Sequence, residues 1–296
     1  MTGMHADEIT IDDGTVRRLV AAQFPDWASL PLRRLPPVGT DNQLFRLGDD
    51  LLVRTPRIHW AADSAVTEHA WLPRLAPHLP LPIPAPIALG EPGEGYPWHW
   101  TVVPWIVGET PTEQTFDPEE WAVSLAAFVR ACREVPSLDG PVKTEGRGAP
   151  IEQLDDWVQE WTAKADPALV DRDAVLALWA DALAAPAYDG EPRWFHGDLH
   201  EGNLLVRDGR LVAVIDWGAA GRGDPAIELN AMWGYLPASV AELYRAEVGL
   251  DEAAYRRARG FALAPSISAL TYYRDTAPEI ARGSLGTVER LLASLD

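Results

Sequence analysis

The chain has one cysteine, two lysines and no excess of positive charge, and each scarcity closes off a class of answers. A single cysteine, Cys132, rules out an intrachain disulfide and a cage of thiolate ligands. Set in Leu125-Ala126-Ala127-Phe128-Val129-Arg130-Ala131-Cys132, it reads as a small core residue. With 44 acidic residues against 25 basic ones the net charge is −19. Such a surface repels nucleic acid and anionic membrane, and it would either attract a cationic small molecule or serve solubility alone. No apolar run approaches the ~20 residues that span a bilayer, and the first residues carry neither a basic nor an apolar leader segment. The expectation is a soluble, cytoplasmic protein with no nucleic-acid or membrane partner. Neither G-x-G-x-x-G nor G-x-x-x-x-G-K-[ST] occurs, which removes the dinucleotide-binding and P-loop readings.

What is present is a globular composition, 47% hydrophobic over 296 residues, long enough for two lobes or one large α/β domain. Residues 9–24 read as a helix capped by Asp12 or Asp13. Residues 38–54 read as two antiparallel strands around Gly48-Asp49-Asp50, and 61–77 as a second helix. The proline-rich stretch from Pro77 to Pro86 supplies too few backbone donors for regular structure. Residues 87–90 and 98–104 follow as strands, and from there helices dominate. Helices are expected over 117–134, capped by Asp117 with Pro118 in its first turn, over 151–163 and over 171–185, with further helical faces in 251–273 and 284–295. Residues 204–206 and 211–215 form a hairpin about Asp208-Gly209. The shift in composition near 104–108 divides the chain into 1–104 and 105–296.

The densest chemistry lies in Trp194-Phe195-His196-Gly197-Asp198-Leu199-His200-Glu201-Gly202-Asn203. Ten residues or so further on, the apolar run 212–215 ends on Asp216, followed by Trp217 and Gly218. A carboxylate at the end of a buried strand needs a cation or a donor beside it. Two such acids joined by a hairpin point to a shared ligand, and Asp and Asn oxygens are hard donors suited to Mg²⁺. Phosphoryl transfer from a nucleotide asks for this set: a residue that orients the attacking hydroxyl, metal ligands, and a cation on the inner phosphates. His196 and His200, four apart, could instead hold a metal, but Gly197 and the missing His-Glu start argue against a zinc site. His196 reads as a buried scaffold residue; His200 either does the same or lines the site.

These motifs, with Gly223-Asp224-Pro225-Ala226, resemble the aminoglycoside phosphotransferase family, which includes macrolide phosphotransferase-like members and has a protein-kinase-like fold. The resemblance implies an α+β chain of two lobes, a small antiparallel-sheet N-lobe and a mainly helical C-lobe. It implies that Asp198 is the catalytic base, that Asn203 and Asp216 hold Mg²⁺, and that Asp224 is the structural acid accepting hydrogen bonds from the catalytic-loop backbone. ATP or GTP would be the donor, its base lying against the backbone of 102–106, so that Val103 and Trp105 become nucleotide contacts.

The chain departs from the kinase pattern at the phosphate cation. The usual lysine is absent, since Lys143 and Lys164 both follow the proposed lobe boundary. Arg54 occupies the position with Glu68 as its partner; Arg57 is a second choice, and a surface role for either is the plain alternative. The phosphate-covering loop, Gly39-Thr40-Asp41-Asn42, has a single glycine. For the acceptor, the ridge Glu152, Asp156 and Glu160 would receive ammonium groups unless it is only a solvated helix face. Trp157, Trp161, Tyr272 and Tyr273 would line an apolar groove for a macrolide unless they pack in the core. The resulting expectation is a small-molecule kinase acting on an aminoglycoside hydroxyl. A macrolide or a metabolic hydroxyl compound is the alternative acceptor, and a nucleotide-binding pseudokinase is the alternative class.

Overall fold

The computed structural model describes residues 8–36, 41–111, 117–136 and 139–295. Gly39 and Thr40 of the expected phosphate-covering loop lie outside them. The chain divides into two compact units, one comprising residues 1–109 and 212–218, the other 110–211 and 219–296.

The first unit opens with α1 (Asp13–Gln23). Asp12 caps it by accepting from the Thr15 N–H at 2.9 Å and from the Thr15 hydroxyl at 2.7 Å, which satisfies a donor that has no partner within the helix. Its apolar face, Val16, Leu19 and Val20, is buried with Phe45, Val53, Trp100 and Val102 in one core. Those core residues come from an antiparallel five-stranded sheet of β1 (Leu32–Arg34), β2 (Asn42–Leu47), β3 (Leu51–Pro56), β4 (Ala88–Gly90) and β5 (Trp100–Pro104), in spatial order β1-β2-β3-β5-β4. Gly48, at φ +59°, makes the turn between β2 and β3, a conformation glycine adopts without steric cost. β1 lies just before Leu35-Pro36-Pro37, in a stretch to which the sequence assigned no element. Three residues between prolines carry no alternation to read, and its pairing with β2 decides the matter. Helix α2 (His59–Leu75) follows β3.

The second unit is mainly helical. It contains α3 (Pro118–Glu134), capped by Asp117 at 3.2 Å from the Glu119 and Glu120 N–H groups, then α4 (Asp155–Lys164) and α5 (Arg172–Leu183). Short β6 (Arg193–Phe195) precedes the hairpin of β7 (Leu204–Arg207) and β8 (Arg210–Val214), and β8 carries the chain into the first unit. On its return, β9 (Gly221–Gly223) pairs antiparallel with β6, Phe195 opposite Gly221. Helices α6 (Ala231–Gly234), α7 (Ala238–Val248), α8 (Glu252–Tyr272) and α9 (Pro278–Ala293) complete it. Along α8 most side chains are buried, and Gly260 lets Ile151 and Trp179 approach: a Cβ there would lie 2.6 Å from Ile151 Cδ1. Cys132 is buried on α3, as its setting implied. Among the described residues no helix is long and apolar enough to cross a membrane. The α+β division into a sheet unit and a helical unit is the one the sequence led us to expect.

Candidate active site

In the second unit the strand β6 ends on Phe195, and the chain turns at Gly197, whose φ of +82° and close approach to the Ala219 carbonyl (3.1 Å from a would-be Cβ) favour glycine. The next residue is Asp198. Its backbone N–H donates to His196 Nδ1 at 3.2 Å. The Asp198 carbonyl accepts from Asn203 Nδ2 at 2.9 Å. That bond commits the amide nitrogen of buried Asn203 and leaves its oxygen as the group available to a cation. His200 Nδ1 accepts from the Gly202 N–H at 3.1 Å, and its Nε2 stands 4.0 Å from Asp198 Oδ2. His196 is fully buried.

Two residues that sequence reasoning missed complete this loop. Arg147 forms an ion pair with Asp198 Oδ1 and donates from Nη1 to the Gly197 carbonyl at 3.2 Å. Burial alone would raise the Asp198 pKa, but the Arg147 charge, followed by those of His200 and His196, outweighs it and holds the carboxyl below its ordinary value. Asp198 is therefore ionised at neutral pH. The second is Glu228, whose carboxylate accepts from the backbone N–H groups of His196 and Gly197. This corrects the expectation for Asp224, which instead takes Arg257 Nε at 2.6 Å and caps the Ala226 N–H at 3.0 Å. The reason is reach. Asp224 opens a 3₁₀ turn, Pro225–Asn230, and points to α8, whereas Glu228 within that turn lies under the loop. Burial pushes the Glu228 carboxyl up to about 7, against its two backbone hydrogen bonds, with the Asp198 charge adding to the rise.

In the first unit Arg54 sits on β3, opposite Leu44 of β2 and Thr101 of β5. Its guanidinium is buried and pairs through Nη1 with Glu68 Oε2 on α2, while Nη2 stands 3.4 Å from Glu68 Oε1 and 3.4 Å from Asp216 Oδ1. Burial holds the Glu68 carboxyl above its ordinary value despite that cation. Arg57 is committed elsewhere, to Glu8 at 2.6 Å. Asp216 occupies left-handed backbone space at φ +61° with its side chain half exposed. The proline-rich stretch helps to place it, since Val214 N donates to the Pro82 carbonyl at 3.2 Å, Trp217 Nε1 to the Val214 carbonyl at 3.1 Å, and Ser64 to the Gly218 carbonyl at 3.4 Å. Proline lacks a donor but keeps a full acceptor. Among the described residues no three His, Cys, Asp or Glu side chains form a metal cluster.

Val103 is buried on β5, and the Trp105 N–H is taken by the Asp50 carbonyl at 2.7 Å, with Arg46 stacked on the ring at 4.0 Å. Glu152, Asp156 and Glu160 are all exposed on the second unit, and Glu160 pairs with Lys164 four residues on. Trp157, Trp161, Tyr272 and Tyr273 form a row of ring contacts, with centroids 5.5, 6.4 and 4.8 Å apart along it; Trp157 and Tyr272 are about half exposed.

Residues 33–261 match the model of a phosphotransferase enzyme family. Among solved structures, a GDP complex of a wild-type aminoglycoside 2'-phosphotransferase-IIIa aligns with a TM-score of 0.76 at 20% identity, over 97% of this chain and 100% of its own. A GDP and kanamycin complex aligns at 0.72 and 20% identity, over 94% and 98%. The macrolide 2'-phosphotransferase MphH from Brachybacterium faecium, as apoenzyme, aligns at 0.61 and 22% identity, over 93% and 97%. The likeness at these identities is one of fold, and the fold is kinase-like.

Proposed function

This chain belongs to the phosphotransferase enzyme family, and from that premise we propose that it transfers the terminal phosphoryl of ATP or GTP to a hydroxyl of a small-molecule antibiotic, an aminoglycoside. The observation that carries the reading is Asp198: an ionised carboxylate on a loop held from below by Glu228 and braced by the Asn203 amide. The acceptor oxygen bonds to phosphorus as the bond from phosphorus to the oxygen bridging the nucleoside diphosphate breaks. The leaving diphosphate keeps that electron pair, and the hydroxyl proton passes to Asp198.

Asn203 and Asp216 are the proposed Mg²⁺ ligands. The donor set suits the ion: an amide oxygen left free by its own nitrogen's bond, and a half-exposed carboxylate. Mg²⁺ takes one or two such protein oxygens and fills its shell with phosphate and water, and when bound it supplies charge neutralisation on the phosphates. Arg54, steadied by Glu68, is the proposed cation for the inner phosphates, and its planar fork would bind them with two donors where a lysine offers a point charge. Val103 and Trp105 are the proposed contacts for the nucleotide base.

The acidic ridge Glu152, Asp156 and Glu160 supports a cationic acceptor, since all three side chains are exposed on the unit that carries Asp198. A macrolide is the second reading, favoured by the half-exposed row from Trp157 to Tyr273. Turnover of ATP and of GTP, measured with Mg²⁺ against a panel of aminoglycosides and macrolides, tests both. Phosphorylation of one class identifies the acceptor, and nucleotide binding with no turnover on any member would favour a metabolic hydroxyl acceptor or the pseudokinase role.

A further inference from the structure

Two cations on one loop, Lys143 and Arg147, reach the end of β6 and β9 at which Asp198 sits. Arg147 stands between Gly146 and Gly148, both in left-handed backbone space at φ +70° and +77°. Gly148 is packed so closely that a Cβ would lie 2.1 Å from Phe195 Cζ, and its carbonyl accepts from the Asp224 N–H at 2.9 Å. The loop is thus built against the strand that leads into the catalytic loop. A guanidinium has five N–H donors. The bonds to Asp198 and Gly197 run through Nη1, and the side chain is 40% exposed.

Lys143 lays its stem over the same strand pair. A Cβ on Gly221 would fall 2.5 Å from Lys143 Cε and 2.9 Å from its Cγ, and Gly221 is paired with Phe195. Its own N–H donates to the Arg222 carbonyl at 2.8 Å. Among the described residues no carboxylate pairs with its ammonium, although the chain has 44 acids for 25 bases. Burial, followed by the charge of Arg147, holds the amine below its ordinary pKa. Two like charges brought together carry an electrostatic cost that an incoming anion relieves.

We propose that Lys143 and Arg147 form the receiving site for the transferred group in the second unit, binding the oxygens of the phosphoryl as it arrives at the acceptor beside Asp198. This rests on the phosphotransfer reading above. Arg147 turns its free donors to the phosphoryl, where guanidinium geometry fits two oxygens at once, and Lys143 supplies the second positive charge. Neither residue is offered to the inner phosphates, a role assigned to Arg54.

Because the chain holds two lysines, acetylation by acetic anhydride, followed by peptide mass spectrometry, reads Lys143 directly, with Lys164 as the internal control. With the full chain, inorganic phosphate should slow acetylation of Lys143 several-fold relative to chloride at equal ionic strength. Lys164 should be unaffected, and the protection should vanish in R147Q. Equal rates at Lys143 with and without phosphate, or protection that survives R147Q, would overturn the proposal. This readout needs no turnover, so protection in a protein that phosphorylates no acceptor would support the anion site while refuting the phosphotransfer reading. In the active enzyme, R147Q and K143Q should lower kcat, R147Q by about 100-fold, with the nucleotide KM within a few-fold. Arg147→Lys should restore part of the loss. A R147Q variant that loses thermal stability but keeps kcat would also sink the assignment.

Discussion

The carboxylate of Glu228 accepts from the backbone N–H of His196, two residues before Asp198, and does so from a fully buried position. A buried acid would ordinarily be a liability. Here it satisfies the donors of a turn that has no strand partner for them.

That position makes stability depend on pH through one group. The folded-state pKa of Glu228, about 7, lies above the ordinary 4.5, so its contribution is fully present below about pH 4.5 and is lost as pH rises through 7. The span corresponds to about 3 kcal/mol. E228Q, which keeps an acceptor oxygen without the charge, should match the wild type near pH 4.5 and become the more stable of the two above pH 7. Denaturant unfolding of both proteins across this range checks it, and parallel curves would contradict the assignment. E228A should instead be destabilised at every pH, because the two loop N–H groups lose their acceptor.

Asp198→Asn retains the shape of the loop and the backbone acceptor for Asn203 while removing the charge. Turnover should fall by about 10²- to 10⁴-fold with nucleotide affinity little changed. Single-turnover assays alongside calorimetry separate the two effects; full turnover in D198N would refute the proposed chemistry.

Arg54→Ala should weaken nucleotide binding severely and should also destabilise the first unit by about 3–5 kcal/mol, because it strands Glu68 as an unpaired buried charge. Glu68 is only 4% exposed in its side chain. The double variant R54A/E68A should be less destabilised than the sum of the two single changes. Additive losses in a thermal-unfolding series would show that the two residues do not act as a pair.

The glycines flanking Arg147 should respond differently to the same change. G146A meets no atom within 4 Å, so its cost is that of the left-handed backbone alone, about 1–2 kcal/mol. G148A adds a collision with the fully buried ring of Phe195, and overpacking of that kind costs roughly 1–3 kcal/mol more. G148A should therefore be the less stable of the two, and equal melting temperatures would contradict the packing described.

Much of this was legible in the chain because local chemistry fixes it. Asp12 and Asp117 each cap the helix they precede, and the apolar face read in 251–273 is the buried face of α8. The pairing of Arg54 with Glu68 followed from the resemblance to the kinase pattern, in which a cation on the third strand meets an acid from the next helix, and the structure brings the two together. Arg147 was not readable. Its partner lies about fifty residues away, and an Arg between two glycines in a loop has no periodicity to betray it. Glu228 was hidden by its neighbour: Asp224 carries the same charge four residues earlier, and only the direction of the 3₁₀ turn decides which acid faces the loop. β1 was missed because a three-residue strand is made by its partner more than by its own sequence.

The membership of residues 212–218 in the first unit, while the chain on both sides belongs to the second, bears on how such a protein can be cut and recombined. A gene fragment ending near residue 109 would encode the sheet without the segment that brings Asp216 to Arg54. Exchanging that unit with a relative's therefore takes three junctions, one near 109 and one on each side of 212–218. A chimera made at the first junction alone would join one parent's Arg54 to the other parent's Asp216.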